Sequence, residues 1–111
     1  MTIFKDIIDG KISAEKVFEN ERILAIKDKF PIAPVHILIM PKKEISGIDN
    51  IKEEDLPLIG EIFLVAKKLA KEFDIEEDGY RVLTNNGADA GQTIFHLHFH
   101  LIGGRKLRAM G

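Results

Sequence analysis

Apolar residues Ile3, Phe4, Ile7 and Ile8 recur at the spacing of one helical face. With Thr2 placed to cap and Gly10 to stop, they predict a short helix at the start of the chain. Lys16 to Asn20 and Ile23 to Asp28 alternate apolar and polar residues across Glu21-Arg22, the pattern of a hairpin. Pro31 and Pro34 have no N–H to give a sheet ladder and bracket a turn. Val35-His36-Ile37-Leu38-Ile39-Met40, stopped by Pro41, predicts a third strand. Its nearly unbroken apolar run asks for burial on both faces, in mid-sheet or at a subunit contact.

Lys42 to Lys52 is a polar connection. Glu53, Glu54 and Asp55 then put negative charge where a helix N-terminus favours it, and Pro57 is tolerated in a first turn. A long helix is expected from about Glu54 to Phe73. Leu56, Ile59, Phe63, Ala66, Ala70 and Phe73 make one stripe, which Ile62, Leu64, Val65 and Leu69 widen beyond a single face. Such a helix needs cover on more than one side, and an isologous homodimer that also covers the third strand would supply it. Asp78-Gly79 turns into a fourth strand, Tyr80 to Thr84, and a small-residue loop, Asn85 to Thr93, leads to the last. The layout is α+β: a five-stranded antiparallel sheet with one long helix and a short N-terminal helix.

The last strand carries the candidate chemistry. His96-Leu97-His98-Phe99-His100-Leu101-Ile102 holds three of the four histidines in the chain. Extended backbone has a period of two, so the imidazoles share one face while Leu97, Phe99 and Leu101 share the other. Three readings compete. The row could be no more than the polar face of a strand, although adjacent imidazoles resist joint protonation. It could hold a metal, with His36 as a further ligand, but i and i+4 on a strand lie ~13 Å apart at the backbone. Or it could act on phosphorus or another electrophile, since imidazole is a nucleophile and proton carrier near neutral pH. The preceding loop bears on the third reading. Its small residues, Gly91 included, let backbone N–H groups approach an anion, and Asn85, Gln92 and Thr93 add side-chain donors.

Composition narrows the setting. A chain of 111 residues, 45% hydrophobic and 31% charged, is expected to form one domain over 1–111. A net charge of −2 implies no general attraction to nucleic acid or membrane surfaces. Cys is absent, which excludes disulfides and thiolate metal sites. The N-terminus is charged where a signal peptide needs an apolar run, and no stretch approaches the ~20 apolar residues of a membrane span. A cytoplasmic protein is the expectation.

Gly91-Gln92-Thr93-Ile94-Phe95 followed by the His-φ-His-φ-His-φ-φ run resembles the signature of the histidine triad (HIT) family. Pro34-Val35-His36-Ile37-Leu38-Ile39-Met40-Pro41-Lys42-Lys43 is similar to that family's upstream histidine strand, and Gly79-Tyr80-Arg81 and Asn85 have equivalents there. Gly103-Gly104-Arg105 resembles the branch of small dimeric nucleoside phosphoramidases. The resemblance implies a HIT-like fold and a hydrolase that releases a nucleoside monophosphate through a nucleotidyl-histidine. Its substrates would be purine nucleotide (AMP or GMP) conjugates, and it would need no cofactor or metal. By the same resemblance His98 would be the nucleophile and His100 would contact the α-phosphate or leaving group. His96 and His36 would form a relay that sets the tautomer of His98. Asp28 would hold the ribose hydroxyls, and Phe4, Ile7, Ile26 and Leu38 would line the base pocket. Lys29, Asn85, Gly91, Gln92 and Thr93 would complete the nucleotide site. Dinucleoside polyphosphate hydrolysis, and a nucleotide-binding module acting through protein partners, are alternatives. Two departures stand out: Glu44 occupies a position where many relatives have a histidine, and the C-terminus lacks a tryptophan.

Overall fold

The computed structural model describes residues 2–110. Helix α1 spans Ile3–Ile8, with the Thr2 hydroxyl accepting a hydrogen bond from the Lys5 amide at 3.1 Å. Strands β1 (Lys16–Glu19) and β2 (Ile23–Lys27) form the hairpin, and β3 (Val35–Pro41) follows. Helix α2 spans Leu56–Glu72, after which come β4 (Tyr80–Leu83) and β5 (Phe99–Gly103). Single 3₁₀ turns lie at Ile48–Asn50, Glu53–Asp55 and Ala88–Ala90. The five strands make one antiparallel sheet in the order β1-β2-β3-β5-β4.

Strand alternation gives the sheet two unlike faces. Ile23, Ala25, Ile37, Ile39, Phe99 and Leu101 point to α2 and pack with Ile62, Val65, Ala66, Leu69 and Ala70. Leu24, Ile26, Leu38 and Met40 point the other way and meet Phe4 and Ile7 of α1. The short α1 covers only part of that second face.

Strand β3 lies mid-sheet between both clusters, the first of the two settings expected for its apolar run, so its burial needs no second subunit. Two expectations are corrected. Regular pairing in the last strand begins at Phe99, which leaves His96 and His98 outside it. The Leu97 amide there donates to the Ile45 carbonyl at 2.6 Å, diverting the chain from the ladder, although Leu97 still faces the α2 side. The polar connection after β3 also buries Ile45 in that core. Helix α2 keeps the predicted surplus of apolar surface. Leu56, Phe63 and Leu64 remain 57%, 50% and 66% exposed, so one sheet does not cover this helix.

Candidate active site

Register places the histidines. Leu38 lies opposite His100, and His36 lies opposite Ile102, so His36 and His100 are diagonal neighbours on the face away from α2. His36 Nε2 and His100 Nδ1 are 2.9 Å apart. The expected partnership of His36 with His96 is therefore corrected. His96 is only 2% exposed, and its Nε2–H donates to the Pro41 carbonyl at 2.7 Å, at the far end of β3.

The hydrogen bonds determine which nitrogens carry protons. A carbonyl only accepts, so His98 Nδ1, 2.7 Å from the His96 carbonyl, must be protonated and must donate. Nε2 of His98 then holds the lone pair. The Ile32 amide donates to His36 Nδ1 at 3.2 Å, which puts the His36 proton on Nε2. That N–H donates to His100 Nδ1, and the His100 proton is left on its own Nε2. His98 and His100 thus stand 5.2 Å apart between ring centres, one with a free lone pair and one with a free donor. The Phe4 ring meets His98 edge-on at 4.9 Å, and the Thr84 hydroxyl donates to the His98 carbonyl at 2.7 Å.

Burial keeps this row uncharged. Desolvation lowers the pKa of His36, His96 and His98 below 6.5. His100 is pushed down to about 4, first by burial and then by the neighbouring His98 and His36. A cationic imidazole has no lone pair to attack with, so low values preserve the nucleophile at neutral pH.

His98 and His100 open into a cleft of about 700 Å³ between α1, the loop after it and the end of β2. Phe4, Ile7, Ile26, Asp28, Lys29, Leu38 and Thr93, all anticipated as ligand contacts, line this cleft. Asn85, Gly91 and Gln92 do not. The Gln92 amide is 5% exposed and turned inward: its Oε1 accepts from the Gly87 amide, and its Nε2 donates to the Ser46 and Ile94 carbonyls. Its reading as a ligand donor is corrected to that of a brace for the loop. Gly91 closes the 3₁₀ turn in a left-handed conformation, φ 91°, and is exposed. Sequence reasoning missed Ile12, Ser13 and Ala14 in the cleft wall, and Phe30, 82% exposed at its edge. A lone aromatic immediately before the proline-bracketed turn was the available signal for Phe30. Nothing local marked the others.

A family model described as the HIT domain matches residues 9–107. The chain is 56% identical to a HIT-like protein of Chlamydia pneumoniae over 110 residues, 99% of each chain. It belongs to the HIT family. Among solved structures, a HIT family hydrolase from Legionella pneumophila superposes with a TM-score of 0.95 at 42% identity, covering 97% of this chain and 96% of that one. A histidine triad nucleotide-binding protein from Candida albicans gives 0.82 at 35% identity, covering 100% and 85%.

In this HIT site, Asp28, His36 and His100 offer ligand atoms all within 4.8 Å of one another. They are the atoms that already share one proton. Because His36 Nδ1 accepts from Ile32, a cation at His36 Nε2 would have to displace the only proton on that ring. The donor set suits a hydrogen-bond chain better than a metal.

Proposed function

We propose that this HIT protein is a purine-nucleotide hydrolase that cleaves nucleoside 5′-phosphoramidates or related nucleotide conjugates through a nucleotidyl-histidine. One observation carries the reading: the bond from His98 Nδ1–H to the His96 carbonyl leaves Nε2 unprotonated beside an N–H of His100, in an open cleft. Attack of that nitrogen on the α-phosphorus forms a P–N bond as the bond to the amine breaks. The amine leaves with a proton drawn from solvent, assisted by His100 Nε2–H. The ring charge left on His98 is shared with the His96 carbonyl through Nδ1–H. Water then cleaves the phospho-histidine bond, releasing the monophosphate and restoring the lone pair. Thr93 and nearby amides would receive the phosphoryl oxygens, and such a donor is worth ~3 kcal/mol in acyl-transfer enzymes.

Apolar Phe4, Ile7, Ile26 and Leu38 suit a base, and Asp28 beside them suits the ribose hydroxyls. The Candida albicans relative named for nucleotide binding adds support. The exposed Leu56, Phe63 and Leu64 support a homodimer through α2, which light scattering at micromolar concentration would test; a monomer would refute it. The central experiment quenches a reaction of labelled adenosine 5′-phosphoramidate and maps the adduct by mass spectrometry. Label on His98 is expected. Label on His96 or His100, or no turnover, would overturn the mechanism.

A further inference from the structure

The Asp28 carboxylate has unequal oxygens. Oδ1 accepts the Phe30 amide at 2.8 Å, which closes the turn after β2. Oδ2 lies 3.3 Å from His36 Nε2, and the Asp28 side chain is 19% exposed toward the cleft. His36 Nε2 carries a single proton, and that proton already points to His100 Nδ1 at 2.9 Å. Two acceptors, Oδ2 and His100 Nδ1, therefore compete for one N–H.

We infer that Asp28 is a positioning residue for His100 as well as a ribose contact, so that ribose binding adjusts the donor strength of His100. The inference rests on the nucleotide reading above. A ribose hydroxyl donating to Oδ2 weakens that oxygen's pull on His36 Nε2–H, and the existing bond to His100 Nδ1 strengthens. An imidazole that accepts a stronger hydrogen bond at Nδ1 becomes a better donor at Nε2, the atom placed beside the leaving group. Loss of the hydroxyls then slows the chemical step in addition to weakening binding. A carboxylate that served the ribose alone would change affinity only. The burial of His36, 7% exposed, keeps water from replacing either acceptor.

The test compares adenosine 5′-phosphoramidate with its 2′,3′-dideoxy analogue at saturation, in the wild-type protein and in His36→Asn. The asparagine can still accept the Ile32 amide while removing the Nε2–H. The wild type should lose about tenfold in kcat with the dideoxy substrate, beyond any rise in KM. In His36→Asn the kcat ratio should collapse toward one while the KM ratio persists. A wild-type kcat ratio near one overturns the inference, as does a ratio that survives His36→Asn unchanged. A measurement without turnover uses the ¹⁵N signal of His100 Nδ1 in histidine-labelled wild-type protein. Both nucleotides bring a phosphate to His100, so AMP should move that signal further than 2′,3′-dideoxy-AMP does; equal shifts from both overturn the inference even where His36→Asn fails to fold. Failure to bind either nucleotide overturns the nucleotide reading itself, and this inference with it.

Discussion

Gln92→Ala is expected to unfold the protein more readily without emptying the nucleotide site. The Gln92 amide makes three hydrogen bonds, to the Gly87 amide at 2.8 Å, the Ser46 carbonyl at 2.8 Å and the Ile94 carbonyl at 3.2 Å. It joins the turn after β3 to the loop that leads into the histidines. Each bond is worth ~1 kcal/mol net, and a sealed unpaired partner would cost more. Gly87, Ser46 and Ile94 are half-buried, so water recovers part of the loss. The expected cost is about 2–3 kcal/mol. For a chain this long, with an unfolding entropy of ~2 cal/mol/K per residue, that is a fall in Tm of about 9–13 °C. Gln92→Glu should do no better, because it keeps the acceptor for Gly87 but turns a carboxylate toward two carbonyls. Urea titration and thermal melts followed by circular dichroism measure the loss, and calorimetric titration of AMP measures what the folded fraction still binds. A cost below ~1 kcal/mol together with a large drop in affinity would refute the inward brace and return the amide to the ligand.

The remaining predictions concern chemistry. His98→Ala should cut kcat by several orders of magnitude and leave AMP affinity within about tenfold, whereas His100→Ala should hurt mainly poor leaving groups; steady-state kinetics with a graded series of amines checks both. Burial lowers all four histidine pKa values, so kcat/KM should stay level down to pH 6.5 and fall only below it, the apparent value belonging to the coupled row. The unfolded chain binds those protons first, so acidification below 6.5 should also reduce stability, with His100 the last to protonate at about 4. Asp28→Ala should weaken AMP binding by ~1–3 kcal/mol and 2′,3′-dideoxy-AMP little; equal losses would remove Asp28 from the ribose. Exhaustive dialysis against EDTA should leave full activity, and restoration of a lost rate by stoichiometric zinc would favour a metal site at Asp28, His36 and His100.

The sequence by itself determined the elements and the pairing logic. The nearly unbroken apolar run from Val35 to Met40, the period of two in His96 to Ile102, and the broad apolar surface from Leu56 to Phe73 leave few ways to bury what must be buried. Local signals at Thr2, Gly10 and Pro57 set helix ends because capping and proline chemistry act within one turn. Alternation keeps His98 off the core face and between two other imidazoles, and the family resemblance marks it as the candidate nucleophile. Only the tertiary structure decided the partners. His36 meets His100 instead of His96 because the β3–β5 register sets those two side by side, and no local pattern encodes a register between residues 64 apart in the chain. Gln92 looked like a ligand donor from its type and its loop, yet it points inward because three backbone groups from separate segments converge on it. The tautomer of His98 likewise depends on where one carbonyl lies in space. Residue types are local, but a hydrogen bond is an agreement between two places in the chain, and only the folded chain brings them together.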